Sequence, residues 1–379
     1  MRELEKSPGE DGNISLGRYL RECMLSMPHR LSGLAQLVEG IAAGCAEVGD
    51  HVSRCGARGA HAGEGQVNCS GDRVCELDHV ADELLLDHLA ASGSCAGVVS
   101  EERALPEVLS SGDAPYLVAM DPLDGSSNLG CAIPVGTIFS VRAREGRDPA
   151  DPKSYLAPGS EQVAAGYVIY GTTLELVVTT GHGVHVFFLD RDRRWRLRHE
   201  HVQMPPKGTI YSVNEANVAR WTPELRQWLA VCKEAGYTQR YVGSMVADVH
   251  RTLLRGGVFL YPGDRTLPDG KLRLLYEAEP MALRFEAAGG FASAGSRRLL
   301  DVEGTSIHQR TPVVLGGRVE VMAVERALHG NGRRPWRVVA ASRRMGGERL
   351  ACALELGGRR VSGHLQLSPQ SGRHRFQSS

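Results

Sequence analysis

The chain lacks net charge. Its 379 residues carry 44 Lys plus Arg against 44 Asp plus Glu, so composition points to neither nucleic acid nor membrane as a partner. It also lacks any run of the roughly 18 to 20 apolar residues that a membrane span requires. The start, Met1-Arg2-Glu3-Leu4-Glu5-Lys6, mixes charges and has no apolar signal core, so a cytoplasmic location is the default expectation. Cysteine occurs nine times, at 23, 45, 55, 69, 75, 95, 131, 232 and 352, with no Cys-x-x-Cys pair. An odd count without that pair argues against a disulfide framework and against a structural zinc site, and favours reduced thiols. Residues 331–379 lack lysine altogether. Their ten Arg and two Glu give a formal +8, and weak periodicity with abundant Gly and Ser reads as a basic, poorly ordered tail.

What is present is a chain long enough for about two domains. Its centre is Met120-Asp121-Pro122-Leu123-Asp124-Gly125-Ser126-Ser127-Asn128. The apolar run Tyr116–Ala119 precedes it as a strand, and Pro122 and Gly125 are expected to turn the chain out of that strand. Two carboxylates leaving a strand end suit a hard cation such as Mg²⁺, which takes oxygen ligands. The Gly-Ser-Ser amides and hydroxyls suit the phosphate that the cation polarises. A bare Asp-x-x-Asp-Gly is also an ordinary acidic turn; the full string is more specific.

Residues 1–27 show no strong period and read as a loose arm. Leu34, Leu37, Val38, Ile41, Ala42, Cys45 and Val48 recur at helical spacing. Residues 54–72 are rich in Gly, Ala, Asn and Ser, which fits a mobile lid or a plain connector. A second helix over roughly 74–91 carries Leu77, Val80, Ala81, Leu84, Leu85 and Leu89 as its stripe, with Asp78, Asp82 and Glu83 beside it. Ala96–Glu102 is a short strand ending in two glutamates. Strands with short turns follow to Leu189, an antiparallel meander, and the first domain closes near Pro205-Pro206. The second domain has a helix opened by Thr222-Pro223-Glu224, a helix from Met245 to about Leu254, a strand over 257–262 and a helix running to Gly289-Gly290. The division is therefore an arm 1–27, a metal-binding domain 28–205, a substrate domain 206–330 and a tail 331–379.

Taken together, these pieces resemble class I fructose-1,6-bisphosphatase. The matching stretches are Leu77-Asp78, Val99–Glu102, Asp121–Asn128, Val135–Phe139, Ala164–Tyr167, Arg240–Thr252, Lys271–Glu277 and Ile307–Arg310, in order across roughly 30–330. Asp-Pro-Leu-Asp-Gly alone fixes only the wider superfamily shared with inositol phosphatases. The Arg240–Thr252 and Lys271–Glu277 strings select the fructose branch. Sedoheptulose bisphosphatases share the Lys-Leu-Arg-Leu-Leu run and are the nearest alternative.

The resemblance implies an α/β fold, the layered α/β/α/β/α sugar-phosphatase sandwich with two mixed-sheet subdomains, assembled as a homotetramer. It implies two or three Mg²⁺ per subunit, with Mn²⁺ or Zn²⁺ as substitutes, on Asp78, Glu101, Asp121, Asp124, Glu277 and the Leu123 carbonyl. The 1-phosphate would lie near Asp121, Gly125, Ser126, Ser127 and Arg273. The 6-phosphate would meet Asn214, Tyr241, Tyr261, Lys271 with Leu272 beside it, and Arg240 from a neighbouring subunit. The sugar would touch Gly243, Ser244 and Met245. Glu102 would take the proton of the attacking water, with help from Glu83 and beside Asp78 and Arg273. The reaction so implied would be release of the 1-phosphate of fructose 1,6-bisphosphate, a gluconeogenic step.

The chain departs from that pattern in places. Position 83 holds Glu where the family has Asp, Asn217 stands in place of a tyrosine on the distal phosphate, and His61 stands in place of a lid tyrosine. These departures support a second reading, a catalytically impaired binding or regulatory homologue. The family's Thr-Gly-Glu-Leu-Thr turn for AMP is here Leu31-Ser32-Gly33-Leu34-Ala35. Tyr116 is kept, but a lysine becomes Pro115 and an arginine becomes Ala143, with Arg142 next to it as an available substitute. Weak or absent AMP inhibition is expected. Residues 143–162 hold no cysteine, so the thioredoxin control of the chloroplast enzymes is not expected.

Overall fold

The computed structural model describes residues 14–26, 33–58, 76–110 and 112–329, together with the backbone of four strands between 337 and 378. Residues 59–72 of the stretch read as a lid, His61 among them, and Leu31-Ser32 of the AMP turn lie outside the described residues.

The first sheet has eight strands: β1 (Cys95–Ser100), β2 (Glu107–Val108), β3 (Tyr116–Asp124), β4 (Val135–Ala143), β5 (Gln162–Tyr170), β6 (Leu174–Thr179), β7 (His185–Leu189) and β8 (Trp195–His199). Their order is β2-β1-β3-β4-β5-β6-β7-β8. β1 runs parallel to β3, and the other pairs are antiparallel, so β3 to β8 form the expected meander. β3 is buried along its whole length. Its residues alternate between two cores: Val118 and Met120 face the outer helices, Leu117 and Ala119 the opposite side.

Three helices cover the outer face: α1 (Leu16–Ser26), α2 (Leu34–Arg58) and α3 (Glu76–Ala91). Their apolar stripes, including Leu37, Val38, Ile41 and Cys45, close on Val118, Phe139 and Val168 of the sheet. The segment read as a loose arm is thus partly helical and docked. Leu16, Tyr19 and Leu20 are buried at i, i+3 and i+4. Ile14 O accepts from Leu197 N at 2.9 Å and Ser15 bridges Arg196, so the chain also extends the β8 edge. α2 runs on past Val48 to Arg58, through residues that composition had placed in the loop.

The second sheet has the order β10-β9-β11-β13-β12. Its strands are β9 (Ile210–Ser212), β10 (Thr238–Gln239), β11 (Val258–Tyr261), β12 (Phe291–Ser293) and β13 (Val313–Gly316). Helices α5 (Met245–Arg255) and α6 (Glu279–Ala287) lie between the sheets. There Val246, Val249, Met281 and Phe285 share a core with Ile138, Tyr167 and Val177 on one side and Phe259 and Leu315 on the other. α4 (Pro223–Glu234) and α7 (Arg318–His329) cover the far face through Leu225, Trp228, Val321 and Val324. Thr222 caps α4, its hydroxyl accepting from Leu225 N. The layers read α/β/α/β/α, as the resemblance implied.

Arg142 alternates away from its neighbour Val141, which packs under the outer helices, and so points into the middle layer. There it forms a buried ion pair with Glu279 of α6. Burial outweighs Arg142 and pushes the Glu279 carboxyl up to about 7. Beyond α7, four strands pair as an antiparallel meander: β14 (Arg337–Ser342), β15 (Arg349–Leu356), β16 (Arg359–Gln366) and β17 (Arg375–Ser378). They lie in the segment whose composition reads as a poorly ordered tail.

Candidate active site

Asp121 and Asp124 are three apart, so in a regular strand their side chains would face opposite ways. The chain does not leave the strand at Pro122, as its sequence led one to expect; it bulges. Asp121 pairs with Ile138 and Asp124 with Gly136, so Pro122 and Leu123 together stand opposite Thr137 alone. Thr137 Oγ1 holds the bulge by donating to Pro122 O at 2.8 Å, and Asp121 Oδ1 accepts from Leu123 N at 3.0 Å. Both carboxylates thereby enter one cavity.

Gly125 follows at φ 78°, in the left-handed region. A Cβ placed there would lie 3.0 Å from Ser244 Oγ, so glycine is needed for conformation and for space. The 3₁₀ turn Ser126–Cys131 then begins at the cavity's edge. From the other half, the N-terminal turn of α5 closes in, and Val246 N donates to Asp124 Oδ2 at 2.8 Å. Asp248, fully buried, accepts from Val242 N at 3.0 Å and Gly243 N at 3.2 Å and pairs with Arg251 at 2.6 Å. It fixes the loop that brings Tyr241 and Gly243 to the site.

Glu277 arrives on a π-turn, Leu274–Ala278, where Ala278 N reaches back five residues to Arg273 O at 3.0 Å. Glu277 Oε2 accepts from Arg273 N at 2.6 Å. Asp121, Asp124 and Glu277 are all buried, and one oxygen from each lies within 4.8 Å of the others.

The cavity measures about 280 Å³. Its lining includes Asp78, Glu101, Glu102, the buried trio, Leu123, Gly125, Ser126 and Ser127. From later in the chain come Tyr241, Gly243, Met245, Asp248, Phe259, Tyr261, Lys271, Leu272 and Arg310. Among the described residues carboxylates dominate the charged lining, and Lys271 and Arg310 carry the positive charge there. Burial first, then mutual repulsion, raises the Asp121 and Glu277 carboxyls well above the ordinary range and Asp124 to about 7. Such a cluster calls for protons or a cation. Among the described residues its donors are carboxylate oxygens, the kind of ligand a hard cation takes.

Five predicted site residues do not line the cavity. Arg273 stands just behind the wall, buried, with Nε 3.6 Å from Glu101 Oε1 and Nη1 donating to His308 O at 3.4 Å. Ser244 is buried under Gly125. Asn214 caps a 3₁₀ turn by accepting from Ala216 N at 3.1 Å. Arg240 is exposed and donates to Gln239 O. The Glu83 side chain is 69% exposed and pairs with Arg103 outside the cavity. The inward carboxylate of that turn is Asp82, one residue earlier. Asp248 and Arg310 fall inside matched motif strings, yet sequence reading gave them no role.

A layered sandwich with a carboxylate cavity at the strand ends is the architecture of the sugar phosphatases, which are phosphoric monoester hydrolases. Residues 14–200 match the family model described as fructose-1-6-bisphosphatase, N-terminal domain, and 204–329 match the C-terminal domain of the same family. The class 1 fructose-1,6-bisphosphatase of Sorangium cellulosum is 45% identical over 327 residues, which are 84% of this chain and 94% of that protein. That of Sulfurihydrogenibium sp. is 42% identical over 318 residues, 83% of this chain and 98% of that protein. The crystal structure of Leishmania major fructose-1,6-bisphosphatase in holo form superposes with a TM-score of 0.79 at 36% identity, covering 84% of this chain and 99% of that one. The chain belongs to the class 1 fructose-1,6-bisphosphatase family.

Proposed function

We propose that the chain hydrolyses the 1-phosphate of D-fructose 1,6-bisphosphate, giving fructose 6-phosphate and inorganic phosphate, with Mg²⁺ as the working ion. The observation that carries this reading is the buried Asp121–Asp124–Glu277 trio, its oxygens within 4.8 Å, set beside the Gly125–Ser127 turn. Asp78, Glu101, the trio and the Leu123 carbonyl would hold the cations, which when bound neutralise the attacking and leaving oxygens. The chain's own groups do the rest. The Gly125–Ser127 amides and hydroxyls seat the 1-phosphate, and Arg273 adds charge from behind Glu101. Glu102, on the same turn, accepts the proton of the attacking water. Tyr241, Tyr261 and Lys271 hold the 6-phosphate at the far end, and Met245 and the Gly243 backbone border the sugar. Asn214, whose carbonyl is committed to Ala216, offers its amide nitrogen. Arg240, exposed in one chain, serves a neighbouring subunit of a homotetramer. The intact set of carboxylates favours an enzyme over a binding homologue.

Regulation by AMP should be weak or absent. Arg142 cannot replace the arginine missing at 143, because it faces the middle layer and is paired with Glu279.

Following the reaction by ³¹P NMR tests the reading. Fructose 6-phosphate as the sole organic phosphate is expected. Fructose 1-phosphate would reverse the substrate's orientation, and preference for sedoheptulose 1,7-bisphosphate would move the assignment to that branch.

A further inference from the structure

The turn Ser100–Arg103 presents Glu101 and Glu102 to the cavity and is closed by Arg103 N donating to Ser100 O at 3.2 Å. Glu101 N donates to Met120 O at 3.1 Å, which ties the start of the turn to β3 beside Asp121. A second restraint, acting on side chains at both ends of the turn, comes from α3. Asp82 is 3% exposed, and its two oxygens grip the residues on either side of the glutamate pair. Oδ1 accepts from Ser100 Oγ at 2.6 Å and Oδ2 from Arg103 Nε at 2.6 Å. Ser100 Oγ in turn accepts from Glu102 N at 3.3 Å.

Arg103 passes the restraint on. Its Nη2 pairs with Glu83 and its Nη1 lies 3.3 Å from Glu107 Oε2. Its carbonyl accepts from His308 Nε2 at 3.0 Å, and the His308 carbonyl accepts from Arg273. Arg273 N–H then donates to Glu277. A hydrogen-bonded path therefore runs from a buried helix carboxylate to the two cavity glutamates and on to the trio.

From this we infer that Asp82 is a positioning residue: through Ser100 and Arg103 it sets where Glu101 and Glu102 stand relative to Asp121, Asp124 and Glu277. The inference rests on the proposed metal-dependent reaction and adds to it the residue that aligns two of its carboxylates. Groups that orient metal-binding carboxylates typically change metal affinity or activity by about 10- to 100-fold when removed.

Mn²⁺ titration followed by electron paramagnetic resonance, beside steady-state kinetics, tests it. Asp82→Ala should bind Mn²⁺ about 10- to 100-fold more weakly and lose kcat to a similar degree, with KM for fructose 1,6-bisphosphate within about 3-fold. Asp82→Asn, which keeps an acceptor for Ser100, should lose less. Ser100→Ala should fall in the same direction, and the double variant should be no worse than Asp82→Ala alone. Glu107→Ala, which touches Arg103 from the exposed side, should bind Mn²⁺ as wild type does. A purely structural role would lower the melting temperature and leave Mn²⁺ affinity unchanged. If Asp82→Ala does not fold, Asp82→Asn and Ser100→Ala decide. Folded variants with wild-type Mn²⁺ affinity and kcat overturn the inference. Wild-type protein that binds no Mn²⁺ overturns the metal-dependent reading and the inference with it.

Discussion

Asp124 Oδ2 accepts a hydrogen bond at 2.8 Å from Val246 N–H, the first turn of a helix that belongs to the other half of the molecule. The helix dipole and this donor favour the ionised carboxylate, yet burial prevails and raises it to about 7. The trio is thus held together against its own repulsion. Asp124→Asn should raise the melting temperature of metal-free protein while lowering phosphate release by about 100-fold or more. Wild type should gain about 2.7 kcal/mol when Mg²⁺ exceeds its Kd 100-fold, and EDTA should reverse the gain. Thermal melts of both proteins, with and without Mg²⁺, check this; a wild type indifferent to Mg²⁺ contradicts it.

Gly125→Ala tests the turn. At φ 78° with Ser244 Oγ 3.0 Å from the new Cβ, the substitution meets strain of about 1–2 kcal/mol plus a clash. Turnover should fall by roughly 100-fold through misplacement of the phosphate seat. Steady-state kinetics on folded protein decide it, and near-normal turnover would show that the seat lies elsewhere.

The Arg142–Glu279 pair is fully buried, so removing one partner strands the other's charge. Arg142→Met or Glu279→Leu should cost about 3–5 kcal/mol by chemical denaturation, whereas the double variant with both substitutions should return close to wild type. Additive losses in the double variant would contradict the pairing.

Acid should weaken the fold through buried histidines. Burial lowers the pKa of His185 from 6.5, and those of His199, His250 and His308 shift the same way for the same first reason. Below about pH 6.5 the unfolded chain binds protons that the folded chain refuses. Stability therefore falls as pH drops through that value, by up to about 1.4 kcal/mol per pH unit for each such group. His185→Gln should flatten the slope of stability against pH, whatever it does to the absolute value. Parallel curves for variant and wild type would contradict the assignment.

Much of the site was legible because its chemistry is local. Asp121, Asp124 and the Gly-Ser-Ser turn sit in one string, and the meander announced itself by alternation and short turns. What was not legible depends on contacts between distant segments. The bulge at Pro122 that brings two carboxylates to one side comes from pairing with β4, and the string itself suggested a strand end. Asp82 and Glu83 are adjacent on α3, about 100° apart around the axis, and only docking on the sheet decides that Asp82 turns inward. α1 went unread because three buried positions, Leu16, Tyr19 and Leu20, stand among Arg18, Arg21 and Glu22 and give too short a stripe. Arg142 and Ala143 look interchangeable in sequence, but strand alternation places them on opposite faces.

The most direct measurement is phosphate release from fructose 1,6-bisphosphate and sedoheptulose 1,7-bisphosphate, with and without Mg²⁺, by wild type and Asp121→Ala. The account predicts Mg²⁺-dependent release that favours the fructose substrate and disappears in the variant. No release from either sugar by folded wild type at saturating Mg²⁺, or release that survives Asp121→Ala, would contradict it.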